Sequence, residues 1–233
     1  MAEQKAASLR ARVRAEMVDE IKHVARRHLA ADGANLSLRA VARDLGMVSS
    51  AVYRYFASRD DLLTALILDA YNALGDAAER AEAAVPRGDL LGRWLAVAHG
   101  LRGWVLAHPE EYALIYGSPV PGYAAPQDTV EPSTRPVVLL GGILADAGRA
   151  GLLIDRGDPP LPAALAAEVR RIAEFTAAVD VPQDAMVRGL IAWTELFGAL
   201  SFELFGRLNN TILERDAWFD HQVRAMAAYT GLR

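Results

Sequence analysis

Apolar residues in this 233-residue chain recur at steps of three and four, and they almost never alternate at steps of two. That spacing puts one face of an α-helix in a core and excludes half-buried strands as the main building unit. Val13, Met17, Ile21, Val24 and His28 form the first stripe, so a helix is predicted over Ser8–Ala31 with Gly33 as its left-handed cap. Ser37 is placed as N-cap of a short helix, Leu38–Asp44, which buries Leu38, Val41, Ala42 and Leu45. Gly46 permits a sharp turn, and a third helix follows over Val48–Phe56 with Val52 and Phe56 inward. Ser58, with Asp61 three residues on, has capping-box spacing and starts a long helix that ends before Pro86. Further helices are predicted over Asp89–Ala107, Glu110–Tyr116, Val137–Ala150, Ala163–Val179, Asp184–Arg207 and Glu214–Thr230. Gly117–Pro136 holds five of the eleven prolines and is read as a loop, because an interior proline removes a helix hydrogen bond. The fold class is therefore all-α with nine or ten helices. Residues 1–57 are expected to form a three-helix helix-turn-helix domain and 58–233 a larger bundle, with a helix over 58–85 connecting them.

Composition narrows the function classes. Apolar residues make up 52% and charged residues 23%, a globular balance. There is no cysteine, which excludes disulfides and thiolate metal sites, and the scattered histidines show no metal-ligand spacing. No metal or other cofactor is expected. No uninterrupted apolar run reaches the roughly 18 residues that span a bilayer, and the polar N-terminus lacks the centre of a secretory signal, so a cytoplasmic protein is expected. The net charge of −4 is unevenly spread: residues 1–60 carry 11 Lys+Arg against 7 Asp+Glu, and residues 61–233 carry 14 against 22. A basic N-terminal quarter on an acidic chain suits a polyanion partner, although a solvated Arg-rich helix face gives the same count.

The stretch Ser37–Phe56, "SLRAVARDLGMVSSAVYRYF", favours the polyanion. In a helix-turn-helix unit the second helix enters the DNA major groove, and its N-terminal side chains reach base edges. Ser49 and Ser50 are short donors or acceptors for close contact, and Arg54 can fork onto a guanine or clamp a phosphate. Tyr53 and Tyr55 carry hydroxyls on rigid arms suited to phosphate oxygens. Ser58 and Arg59 sit at a helix N-terminus, where backbone N–H groups favour an anion. Arg39 starts the preceding helix, and Lys5, Arg10, Arg12 and Arg14 form a basic arm.

"LSLRAVARDLGM" followed by "SSAVYRYFASRDDLLTALI" resembles the TetR family of bacterial transcriptional regulators. Ala42, Leu45, Gly46, Tyr53, Tyr55, Phe56, Ser58, Arg59, Leu62 and Leu63 carry the resemblance, which covers about residues 24–68. It implies that Tyr53, Tyr55 and Arg59 contact phosphates and that the serines and Arg54 lie near the bases. The chain departs from the family's usual pattern at Val48, where Ser or Thr is common, at Ser50, where Gly is frequent, and at Arg59, where Lys is frequent. Val48 forgoes a side-chain cap that Ser49 can supply one residue later.

The resemblance implies a ligand-binding, dimerising C-terminal domain. "HPEEYALIYGSPVPGY" and "AWTELFGALSFELFGRL" resemble the subgroup with a Trp-His-Gly pattern; Trp193 and Gly198 match it, while Phe197 stands where the histidine is usual. Aromatic and apolar residues Trp94, Leu101, Trp104, Tyr112, Tyr116, Trp193 and Phe197 are the expected pocket lining, with His99, Arg102 and Glu195 as polar candidates. The Asp184–Arg207 helix is apolar nearly all round and must be buried on two sides. Gly189, Ala192, Gly198, Phe202 and Trp218 are therefore assigned to a homodimer interface made with the Glu214–Thr230 helix. The resulting expectation is a dimeric regulator, a repressor that binds palindromic double-stranded DNA and is released by a small effector, with no enzymatic activity and no membrane partner. An all-α carrier or enzyme without DNA binding is the alternative. No nucleophile–base set or phosphate loop favours the enzyme.

Overall fold

The computed structural model describes residues 2–32 and 36–232, with no side-chain description for 2–8, 31 and 32. Gly33, expected as a helix cap, and the side chain of Lys5 lie outside the described residues. Among the described residues there are ten α-helices: α1 Ala2–Asp32, α2 Leu38–Asp44, α3 Ser49–Val52, α4 Arg59–Ala83, α5 Leu90–Ala107, α6 Pro109–Tyr116, α7 Val130–Arg149, α8 Ala163–Phe175, α9 Gln183–Leu204 and α10 Arg215–Thr230. A single 3-10 turn, Gln127–Thr129, precedes α7, and no strand occurs among the described residues.

The helices fall into two compact units by packing. The first comprises residues 1–71 and 108–129, and the second comprises 72–107 and 130–233. This division by contact differs from the expected boundary at 57/58: α4 contributes residues to both units, and α6 with its following loop joins the first.

In the first unit Ile21, Val24, Leu29, Leu38, Val41, Val52, Phe56, Leu62, Leu63 and Leu66 form one core. Leu114 of α6, with Val120 and Tyr123 of the loop, packs on that core. The Tyr123 hydroxyl and the Thr64 hydroxyl are 2.9 Å apart, which pins the loop to α4. Asp69 of α4 accepts from Lys22 (2.9 Å) and Arg26 (2.7 Å) of α1, and Arg26 also reaches Glu111 of α6 (2.8 Å).

In the second unit α9 packs against α5, α7, α8 and α10. α9 is long and apolar enough to cross a membrane by length and composition alone, although Arg188 and Glu195 interrupt its apolar residues, so no uninterrupted apolar run spans it. Within the unit its inner side is buried by Met186, Ala192, Leu196, Phe197, Ala199 and Leu200. The outer side keeps Glu195 and Thr194 exposed.

Two boundaries differ from the sequence expectation for physical reasons. The helix predicted from Val137 starts at Val130 and contains Pro136. Pro132 lies in its first turn, where no intrahelical N–H bond is needed. Pro136 is buried, and the neighbouring Arg135 anchors the turn by donating to Glu79 (2.8 Å), Asp76 (2.5 Å) and the Asn72 carbonyl (3.0 Å). Tertiary contacts thus outweigh the lost hydrogen bond. α8 ends at Phe175 rather than Val179, because Ala177 adopts φ +53° and Ala178 donates back to the Ala173 carbonyl (2.8 Å). That bond closes a Schellman cap with alanine where glycine is usual.

Candidate DNA-recognition surface

The turn between α2 and α3 is built by Gly46. Its φ of +66° is left-handed, its N–H donates to the Arg43 carbonyl (3.0 Å), and Met47 donates to Ala42 (2.9 Å). These are the two bonds of a Schellman motif, which a β-carbon at this φ would strain. Ser37 has an extended N-cap backbone (φ −129°), but its hydroxyl makes no capping bond. Val48 occupies the N-cap of α3, so Ser49 does not supply the expected cap and is instead the first helical residue. Regular α-helix stops at Val52. Hydrogen-bonded turns continue through Phe56, with Arg54 donating to Ala51 (3.3 Å), Tyr55 to Val52 (2.9 Å) and Phe56 to Val52 (3.1 Å).

One face of this element, Ala51, Val52 and Phe56, is buried. The other presents Ser50, Tyr53 and Arg54 to solvent, with Tyr53 45% exposed and Ser49 half-buried beside them. Arg39 of α2 is exposed. Tyr55 is half-buried, and Arg14 of α1 lies 5.1 Å above its ring while donating to the Arg54 carbonyl (3.3 Å). Arg14 therefore braces the recognition element rather than extending as a free arm. Arg12 pairs with Glu16 (3.3 Å) on the solvated side of α1.

Ser58 forms the capping box that its spacing to Asp61 suggests, and Arg59 has a structural partner of its own. The Ser58 N–H donates to the Asp61 carboxylate (3.1 Å), and the Asp61 N–H donates to the Ser58 hydroxyl (3.0 Å). This reciprocal capping box satisfies two of the N–H groups that an incoming anion would need, and Asp60 and Asp61 make the first turn acidic. Arg59 donates to the Leu36 carbonyl (3.1 Å), tying α4 to the residue that leads into α2. Both residues hold the module's shape. Ser58→Ala is expected to lower the unfolding free energy by about 1 kcal/mol, read by urea denaturation, because a cap is lost.

Sequence reasoning missed the long-range polar contact that fixes α1 to α2. His28 and Asp44 are 2.8 Å apart and join α1 to α2. The partners are 16 residues apart in sequence, and no local spacing marks the pair.

The seven expected pocket residues divide between the units. Tyr112 and Tyr116 lie in the first, where they stack on each other at 5.1 Å and Tyr71 meets Tyr116 edge-on at 6.1 Å. Burial pushes the Tyr116 and Tyr71 hydroxyls above the ordinary phenol range. Trp94, Leu101, Trp104, Trp193 and Phe197 lie in the second unit. Trp94 is core: its indole donates to the Val223 carbonyl (3.2 Å), and Leu101 is fully buried. Trp104 and Phe197 are buried as well. Trp193 lines an apolar cleft between α7, α8 and α9 together with Leu140, Ile172, Met186 and Leu190. Only about 10 Å³ of open space remains in that cleft. Of the polar candidates, Arg102 is spent on Glu203 (2.7 Å) and Asp216 (2.8 Å), and His99 faces Asp220 at 3.3 Å. Glu195 is exposed.

The expected interface residues also divide. A β-carbon on Gly189 would lie 2.6 Å from Leu144 of α7, and Ala192 is fully buried. Both point into the unit's own bundle and are removed from the interface, since small residues there let α7 approach α9. A β-carbon on Gly198 meets nothing within 4 Å, and Phe202 and Trp218 are exposed. No cluster of three metal-ligating side chains occurs among the described residues.

Comparison with known proteins supports this geometry. The family described as "Bacterial regulatory proteins, tetR family" matches residues 21–66, and "Tetracyclin repressor-like, C-terminal domain" matches 94–226. The latter description does not single out the Trp-His-Gly subgroup. The HTH-type transcriptional regulator Rv1816 of Mycobacterium tuberculosis is 40% identical over 224 residues, covering 92% of both chains, and Mb1846 of Mycobacterium bovis matches equally. Among solved structures, SCO4313, described as a regulatory protein, superposes with a TM-score of 0.76 at 34% identity, covering 94% of this chain and 98% of that one. A Rhodococcus sp. RHA1 protein of unknown function gives 0.65 at 25% identity, covering 91% and 93%. A helix-turn-helix with an exposed Ser-Tyr-Arg face, an all-helical remainder and relatives that match almost end to end agree, and the chain belongs to the TetR family of DNA-binding transcriptional regulators.

Proposed function

We propose that the chain acts in the cytoplasm as a homodimeric repressor, without enzymatic activity, whose two copies of α3 enter successive major grooves of a palindromic operator. The observation that carries this reading is the exposed face Ser50, Tyr53 and Arg54 on an element whose opposite face is locked in the core. Ser49, Ser50 and Arg54 read base edges, while Arg39, Tyr53 and Tyr55 contact phosphates. A small apolar effector enters the α7–α8–α9 cleft beside Trp193. Typical small-molecule sites hold about 300–1,000 Å³, so the helices must part to admit it. α4 contributes residues to both units and carries the displacement to α3. A shift of a few ångströms misplaces two recognition helices that must sit roughly 34 Å apart.

The test is duplex binding at several salt concentrations. With several phosphate contacts per protomer, affinity should fall roughly a thousandfold or more between about 50 and 200 mM salt. Salt-independent association would remove the DNA-binding assignment. Two substitutions separate the roles. Tyr53→Phe should weaken operator and random duplex by the same factor. Arg54→Ala should cost about 1–3 kcal/mol on the operator and much less on random DNA. Equal losses for Arg54→Ala would make it a phosphate clamp.

A further inference from the structure

We propose that the first unit carries a small-molecule site of its own, distinct from the α7–α8–α9 cleft, and that it takes a compact organic cation. Leu29 of α1, Ala113 and Leu114 of α6 and Val120 of the following loop wall a cleft of about 360 Å³. That volume lies within the range of roughly 300–1,000 Å³ that small-molecule sites occupy. The walls are apolar, and polarity is confined to the rim, where Glu110 and Ser118 stand.

The charge at the rim selects the ligand. Among the described residues no Lys, Arg or His lines the cleft. Glu110 is exposed and forms no hydrogen bond or ion pair among the described residues, whereas Glu111 beside it is held by Arg26 at 2.8 Å. Leu29 and Ala30 belong to the last turn of α1 (Ala2–Asp32), whose final carbonyls have no donor within the helix and form its negative end. Pro109 and Glu110 also form the first turn of α6, whose N-terminal end is positive. That partial charge and the negative end of α1 offset each other, so the full charge of the Glu110 carboxylate sets the sign at the mouth, favouring a positive group and disfavouring an anion. The occupant is therefore a molecule with an apolar body and one ammonium group.

The cleft is placed to matter for DNA binding. Leu29 belongs to the same core as Leu36 and Leu38 at the start of α2, and Leu114 and Val120 pack against that core. An occupant bears directly on the end of α1 and so on the orientation of the helix-turn-helix, without a signal from the second unit.

Calorimetric titration of the full chain with benzyltrimethylammonium, benzyl alcohol and phenylacetate tests the assignment. The cation should bind at least about fivefold more tightly than the neutral alcohol, and the anion should not bind measurably. Glu110→Gln should bring the cation down to the level of the alcohol. Ala30→Trp adds an indole from the exposed side of α1 and should abolish both, with circular dichroism confirming an intact fold. Trp193→Ala, in the other cleft, should leave cation binding unchanged. Equal affinity for cation and alcohol, binding untouched by Glu110→Gln and Ala30→Trp, or loss of binding in Trp193→Ala would each overturn the site.

Discussion

Replacing Arg93 by alanine should lower the unfolding free energy of the protein by about 3–5 kcal/mol, the largest effect expected of any single polar substitution in the second unit. Arg93 is 2% exposed yet charged. Its guanidinium donates to Glu82 at the C-terminal end of α4 (2.6 Å), to Asp146 of α7 (2.6 Å) and to the Arg87 carbonyl (3.3 Å). One side chain thus joins α4, α5, α7 and the α4–α5 turn. Glu82 is 5% exposed on its side chain and has Arg87 as its other partner, an arginine that is largely solvated. Without Arg93 the Glu82 carboxylate stays buried with only that contact, and uncompensated buried charge is what makes broken pairs costly. The double variant Arg93→Met with Glu82→Leu should recover most of the loss, because an apolar pair removes the orphaned charge along with its partner. A loss below about 1 kcal/mol for Arg93→Ala in thermal or urea unfolding would show that water reaches Glu82.

The same network makes stability depend on acid. Burial opposes ionisation of Asp146, but the hydrogen bond and charge of Arg93, with those of Arg149, hold its carboxyl below the ordinary carboxylate range. A group whose folded pKa is depressed contributes stability that is present above its unfolded pKa and lost as pH falls through the folded value. Stability should therefore drop as pH falls below about 4, the ordinary carboxylate pKa. The drop should be shallower in Arg93→Ala, where Arg149 alone remains to lower Asp146 against its burial.

Local chemistry was readable in the sequence and distant pairing was not. Ser58 and Asp61 are three residues apart, and their reciprocal bonds follow from that spacing. Gly46 is where the chain needs a left-handed residue, and its φ shows it. Leu38–Asp44 is bounded as its apolar stripe implied. Pro136 misled because its helix is held by Arg135 reaching Asp76 and Glu79, residues nearly sixty positions earlier. The loop containing "VPGYAAP" is ordered by Tyr123 meeting Thr64, again a contact between distant positions. In the recognition module, residue types pointed correctly to an exposed Ser50, Tyr53 and Arg54. They could not show that Arg59 donates to the Leu36 carbonyl, twenty-three residues earlier. On α9 the composition implies burial on two sides, and the unit's own packing covers one of them. Which small residues belong to which side depends on where α7 lies, and so Gly189 and Ala192 were assigned to the wrong one.

That separation of sides makes the dimer testable with one helix. Gly198→Arg should yield a folded monomer that fails to protect a palindromic site, whereas Gly189→Arg should impair folding itself. A β-carbon at Gly198 meets no atom within 4 Å, so the arginine side chain extends into solvent in the isolated chain at little cost. At Gly189 the same atom would sit 2.6 Å from Leu144, inside the unit's own packing. Around Gly198 the outer faces of α9 and α10 leave Phe202 56% exposed and Phe205, Ile191 and Trp218 at least a third exposed. So many large apolar side chains on two adjacent helices favour a covered surface, and a second copy in a four-helix arrangement is the cover proposed for it. An unpaired arginine placed between the copies should cost about 3 kcal/mol or more, which raises the dimer dissociation constant roughly a hundredfold or more. Light scattering at micromolar concentration reads this directly. A well-folded Gly198→Arg protein that remains dimeric would move the interface off α9, and the exposed phenylalanines would then need a different partner.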